Sequence, residues 1–338
     1  MDKEDRQRLA GFICAKRPEL TERSAQQYAY KFARVVKLLG PNVKGKTMSH
    51  EFVRDDQEGI NALMESFSQA GDYSAWENAC CGLYQYSLAL EYPEEATKQL
   101  SRMQQQATEA RKEWLRSQTK TSKQEENWVE LRELRRLLRS YEEALKEQDI
   151  LDASGELGRH DYELLRKWVT GSLYIGTDGN PPVRLDYGAM QVINNREYVR
   201  LTEEERKSNN YLVIVTPKSR KFFSFGDYKT ADKYGLNIVK VSPKLNRVLN
   251  IWLGYNKGKK YLLGTDVPMS SVQQTRLIQS VFAPSGKTIS ASMLRHIFIS
   301  EKFPAQLDER SETARRMMHS NSTQEDYAKH QELSLIHI

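Results

Sequence analysis

The chain has 338 residues, 39% of them hydrophobic and 28% charged, which is enough for two domains, each with a core of its own. No apolar run approaches the roughly 20 residues that cross a bilayer, and the opening MDKEDRQRLAGF is too polar for a signal peptide. The expectation is therefore an intracellular protein, nuclear or cytoplasmic, without a membrane partner. The net charge of +6 leans toward a polyanionic partner, and three cysteines (Cys14, Cys80 and Cys81) without metal-ligand spacing read as reduced and structural.

The first part of the chain predicts helices with short breaks. Thr21 is placed to cap a helix with Tyr28, Phe32, Val35, Val36 and Leu39 on one face, ended by Gly40-Pro41. A second helix is expected over Gly59–Ala70, with Ile60, Leu63, Met64 and Phe67 in phase. A third starts near Ser74 and carries Trp76, Cys80, Leu83, Tyr84 and Leu88. Lys31, Arg34, Lys37, Lys44 and Lys46 suggest a basic rim on this helical domain, or an ordinary solvated face. From Gln99 to Gln148 the sequence is charged and helical. Its apolar heptad is not sustained, so a linker plus the first helix of the next domain is simpler than a coiled coil. SQTKTSKQEEN is the expected hinge.

The second half changes character. DGNPP (Asp178–Pro182) is a turn, and PPVRLDYGAMQV leads into a strand or a helix start. YLVIV, KFFSF and NIVKV are β-rich runs separated by turns, which predicts three antiparallel strands. Pro243 opens a helix through Leu245, Val248, Leu249 and Trp252. Ser290 is placed to cap another, with Met293, Leu294, Ile297 and Phe298 as its apolar stripe and Ser292, Arg295 and His296 on its first turns. A further helical pattern runs through Ala314, Met317 and Met318 to His319, breaks at Ser320-Asn321-Ser322, and is followed by Tyr327.

Four basic residues and a tyrosine stand out by order. Arg184 follows a Pro-Pro turn, Lys229 lies in the inter-strand turn DYKTADKYG, Arg295 and His319 sit on the late helices, and Tyr327 comes last. This set resembles the tyrosine recombinase family, whose integrases share a catalytic core with type IB topoisomerases. PPVRLDYGAM and SASMLRHIFIS are most similar to integrases of large DNA viruses, virophages and related mobile elements of eukaryotes. The resemblance implies a mainly α fold with a small antiparallel β-sheet, arranged as a two-domain DNA clamp. It places a helical core-binding domain over 1–118, a linker over 119–126, the catalytic domain over 127–332 and a tail over 333–338.

It also implies a chemistry. Phosphoryl transfer spreads negative charge over the phosphate oxygens, so catalysis is positioning plus charge stabilisation. Arg184 and Arg295 would hold the non-bridging oxygens with donors that never lose their charge. His319 would donate a further hydrogen bond or take part in proton transfer, Lys229 (or its neighbour in the loop, Lys233) would protonate the departing 5′ oxygen, and Tyr327 would attack phosphorus to form a 3′-phosphotyrosyl link. No metal or other cofactor is required. The implied partner is double-stranded DNA, on which four protomers exchange strands through a Holliday junction. Lys31, Arg34, Lys44 and Lys46 are the candidate DNA contacts of the helical domain. A type IB topoisomerase or telomere resolvase would use the same residues, and a decayed integrase that only occupies DNA is the non-enzymatic alternative.

The chain departs from the family pattern at two places. Ser292 stands where many members have histidine, so it can offer phosphate a hydroxyl but no proton charge. Tyr187 stands where an acidic residue often follows the first arginine, with Asp186 adjacent. His296, about 100° round the helix from Arg295, reads as packing or as support behind the site. For the apolar tail LSLIHI two readings stand: a segment docking on a neighbouring protomer, or a translated sequencing-adapter remnant.

Overall fold

Capping chemistry sets most helix starts. The structure, a computed structural model, describes residues 1–40, 57–116, 119–152, 156–176, 179–216 and 220–303. The chain divides into two compact units, Met1–Lys120 and Thr121 onward.

In the first unit the Asp2 carboxylate caps α1 (Lys3–Lys16) by accepting from the Asp5 N–H at 2.8 Å. Thr21 caps α2 (Glu22–Leu39) by accepting from the Ser24 N–H at 3.2 Å. Helices α3 (Gln57–Gln69), α4 (Tyr73–Ala89) and α5 (Glu94–Arg116) follow, with Asp72 capping α4. The expected apolar face of α2 is the one that packs: Phe32, Val35 and Val36 are buried, and Tyr28 and Leu39 lie half-buried at its edge. Phe32 stacks on Tyr86 with ring centroids 3.8 Å apart. This crossing needs glycine at position 82, because a Cβ there would sit 2.7 Å from the Phe32 amide nitrogen.

The second unit opens with α6 (Ser122–Glu126), held by a reciprocal capping box between Thr121 and Gln124. Two long helices, α7 (Leu131–Glu147) and α8 (Arg159–Ile175), pack closely at Gly171, where an added Cβ would fall 2.2 Å from Leu138 Cδ2. Then come β1 (Gln191–Asn194), α9 (Asn195–Arg200), α10 (Glu203–Lys207), β2 (Asn210–Thr216), β3 (Arg220–Phe225), α11 (Ala231–Tyr234) and β4 (Asn237–Lys240). Helices α12 (Pro243–Tyr255), α13 (Ser271–Phe282) and α14 (Ala291–Lys302) complete it. Ser242 and Ser290 cap the helices opened by Pro243 and Ala291.

The fold is mainly helical with a small sheet, but the sheet is mixed rather than antiparallel. Strands β2, β3 and β4 pair antiparallel as expected, with Leu212 opposite Phe223 and Phe222 opposite Lys240. A fourth strand, β1, adds to β2 in parallel, with Gln191 opposite Tyr211. Parallel pairing requires a crossover, and α9 and α10, each started by a capping box, provide it. The sheet is covered on both faces. Leu212, Phe223 and Phe225 join the main core around Trp252, while Tyr211 and Val213 pack against Tyr198 of α9.

Candidate active site

Arg184 lies in the turn between α8 and β1, and two hydrogen bonds fix its backbone. The Tyr174 hydroxyl, at the buried end of α8, donates to the Arg184 carbonyl at 2.7 Å and accepts from Gln274 Nε2 of α13 at 2.9 Å. The Arg184 N–H donates to Asp186 Oδ2 at 3.1 Å. Burial raises the Tyr174 pKa well above the ordinary phenol value, so at neutral pH it serves as a neutral hydrogen-bonding group.

Arg295 approaches the same place from α14. The Glu301 carboxylate, accepting the Leu131 N–H, ties that helix to the start of α7. Met293, Leu294, Ile297 and Phe298 are buried, which leaves Arg295 half-buried at the edge of the core. Burial lowers its guanidinium pKa and the neighbouring charge of Arg184 lowers it further, whereas Asp186 and Tyr174 act in the opposite sense. The Asp186 carboxyl is raised by burial, opposed by the Arg184 N–H and charge, raised again by Asp227 and opposed by Arg295. Two guanidinium groups far apart in sequence thus share one electrostatic neighbourhood with Asp186. Among the described residues neither forms a salt bridge at contact distance; Arg295 Nε donates to the Ala291 carbonyl at 3.4 Å, and its terminal nitrogens and the Arg184 guanidinium remain available to an anion with two acceptor oxygens. Asp186 gives Arg184 local support, while Tyr187 is fully buried among Tyr174, Phe223 and Phe225.

Lys229 is exposed in the connection between β3 and β4, and no hydrogen bond or ion pair holds its ammonium among the described residues. Its rival, Lys233, lies over the Tyr234 ring at 5.0 Å. The Tyr228 hydroxyl donates to the Gly235 carbonyl at 2.7 Å, across the turn that carries both lysines. Ser292 is exposed one turn before Arg295. His296 is also exposed, which corrects the expectation that it packs: the buried stripe of α14 leaves its outer face to solvent. His319, Tyr327, Lys44 and Lys46 lie outside the described residues.

On the helical unit, Arg34 is exposed, whereas Lys31 is half-buried, donating to Cys81 Sγ at 3.6 Å and lying 5.3 Å from the centre of the Tyr28 ring. Both border a groove of about 430 Å³ between α2, α3 and α4, whose lining also includes Arg23, Gln27, Tyr30 and Asn78. Arg23, Gln27, Tyr30 and Arg34 form one exposed stripe at helical spacing, on the face opposite the apolar one. That stripe was missed in the sequence, although its spacing was legible once Ala25, Ala29 and Phe32 are taken as the buried side. The lining contains three cations, amides and two aromatic rings, but no carboxylate.

Among the described residues no cluster of His, Cys, Asp or Glu has the geometry of a metal site, and no helix is long and apolar enough to cross a membrane. Comparison with known proteins gives no match: no family model fits the chain, and neither a curated protein nor a solved structure is significantly similar to it.

Proposed function

We propose that the chain is a DNA-breaking and rejoining enzyme, a tyrosine recombinase that integrates or excises mobile-element or viral DNA. The observation that carries the reading is that Arg184 and Arg295, from two distant parts of the sequence, act electrostatically on each other and on Asp186, while Asp186 and Tyr174 hold the Arg184 backbone. Two rigid forks beside each other match the two non-bridging oxygens of a phosphodiester better than a single acceptor. Lys229, exposed and held by no partner among the described residues, suits the general acid that protonates the 5′ oxygen as the phosphorus–oxygen bond breaks. Tyr327 supplies the nucleophile by resemblance, and His319 a further donor. In this reading the helical unit and the catalytic unit clamp duplex DNA between them, the cationic groove along α2 meeting phosphates and base edges. Four protomers on two DNA sites complete strand exchange.

The test is a nicked suicide duplex carrying the ends of the element, incubated with wild type and Tyr327→Phe. A protease-sensitive, denaturation-resistant DNA–protein adduct is expected in wild type only, with DNA bound equally by both. An adduct in Tyr327→Phe removes that residue as nucleophile. Binding by both without any adduct turns the reading toward a DNA-occupying protein that has lost its chemistry.

A further inference from the structure

Asn210, at the start of β2, is buried, and both ends of its amide are used. Its Oδ1 accepts from the Gly226 N–H at 3.0 Å and from the Asp227 N–H at 3.1 Å. Its Nδ2 donates to the Asp227 carbonyl at 2.7 Å and, at 3.4 Å, to the carbonyl of Asp186. One side chain thereby grips the exit of β3, two residues before Lys229, and touches the turn in which Asp186 supports Arg184. The exit has little freedom to compensate. The Gly226 N–H also donates to the Asn209 carbonyl at 3.1 Å, and a Cβ at position 226 would fall 1.9 Å from the Arg206 carbonyl oxygen. No other side chain among the described residues hydrogen-bonds to both segments.

We infer that Asn210 is a positioning residue that sets the Lys229 loop against the Arg184 turn, so that the general acid reaches the leaving oxygen of the phosphate held by the arginines. The inference rests on the function proposed above. In the step concerned, the tyrosine gives its phenolic proton to solvent, the bond from the tyrosine oxygen to phosphorus forms, the bond from phosphorus to the 5′ oxygen breaks, and a proton passes from the Lys229 ammonium to that oxygen, leaving a neutral amine that takes a proton back from solvent. A misplaced lysine slows bond breaking and leaves phosphate binding by the arginines intact. Proper placement of a general acid is worth about 10²–10⁴-fold in rate, and displacing one forfeits part of that.

The experiment compares two versions of a duplex on which wild type forms the adduct: the ordinary phosphodiester, and one with sulfur replacing the bridging 5′ oxygen. The thiolate leaves with its electron pair and needs no proton, since a thiol has a pKa of about 8.5 and an alcohol one far higher. Asn210→Ala is expected to cleave the ordinary duplex about 10²-fold more slowly and the sulfur-bridged duplex at the wild-type rate, with DNA affinity unchanged. Lys229→Ala, run alongside, is expected to show the same pattern. Equal losses on both duplexes, or no loss on either, overturn the positioning role. Should Asn210→Ala fold poorly, Asn210→Asp keeps the acceptor for the two N–H groups and loses both donated bonds. A smaller loss confined to the ordinary duplex is then expected, and a loss on both overturns the inference. Absence of adduct from wild type sinks the function itself. Failure of sulfur to restore Lys229→Ala removes Lys229 as the acid while leaving the nucleophile assignment standing.

Discussion

The helical unit and the unit that follows it both present arginines, but they hold them differently. Arg23 and Arg34 project from an exposed helix face beside amides and a tyrosine, and nothing among the described residues fixes their guanidinium groups. Arg184 and Arg295 sit at the edge of a core. The backbone of one is fixed by Tyr174 and Asp186, and the other is half-buried on a helix tied to α7. The first arrangement suits phosphates that can exchange with counterions along a groove. The second pays for desolvating two like charges in order to have their donors in place before an anion arrives, which is the arrangement that stabilises a transition state.

The largest expected effect separates the two regions. Arg184→Ala or Arg295→Ala should slow adduct formation on a suicide duplex by about 10²–10³-fold while changing duplex affinity little, and the double variant should lose less than the product of the single losses. Losses that multiply would mean the two arginines do not act on one phosphate. In the helical unit the order is reversed. Arg23→Ala and Arg34→Ala should each weaken duplex binding and reduce the slope of log affinity against log salt by about one, with cleavage of bound DNA unaltered. An unchanged salt slope would take the α2 groove out of the DNA interface.

The smallest effect tests burial without function. Lys221 on β3 is buried, with its ammonium donating to Asn246 Oδ1 at 2.8 Å and to Asn250 Oδ1, and burial lowers its pKa to about 8. Because the folded value lies below the unfolded one, the unfolded chain binds more protons between the two, so this lysine makes the fold more stable as pH rises from about 8 toward 10 and less stable as pH falls back. Denaturant unfolding of wild type relative to Lys221→Met should show this slope, about 1 kcal/mol per pH unit within the window. A flat difference would mean that the charge is better solvated than its burial implies.

Short-range chemistry was legible from the chain alone. Thr21 and Ser290 cap the helices expected of them, Pro243 opens its helix, and the apolar stripes of α2 and α14 are the faces that pack. For the segment after PPVRLDYGAMQV the sequence left strand and helix start open, since β1 has four residues, runs straight into a capped helix, and takes its parallel place from the partner it pairs with. The outward position of His296 was misread because angular distance from Arg295 does not say which side of α14 the core occupies. The support of Arg184 by Asp186 and Tyr174, and the grip of Asn210 on the β3 exit, have no pattern in sequence. They are single hydrogen bonds between segments whose spacing along the chain carries no period.

By itself, then, the sequence determined where helices begin, which of their faces are apolar, and which charged residues are available, because caps and periodicity act within a few residues. Only the tertiary structure decided that Arg184 and Arg295 share one electrostatic neighbourhood, that the sheet takes a parallel fourth strand, and that Lys31 is occupied while Arg34 is exposed. Those outcomes depend on how buried surfaces from distant segments fit together, and that packing brings charges within electrostatic reach of one another without any local signal in the chain.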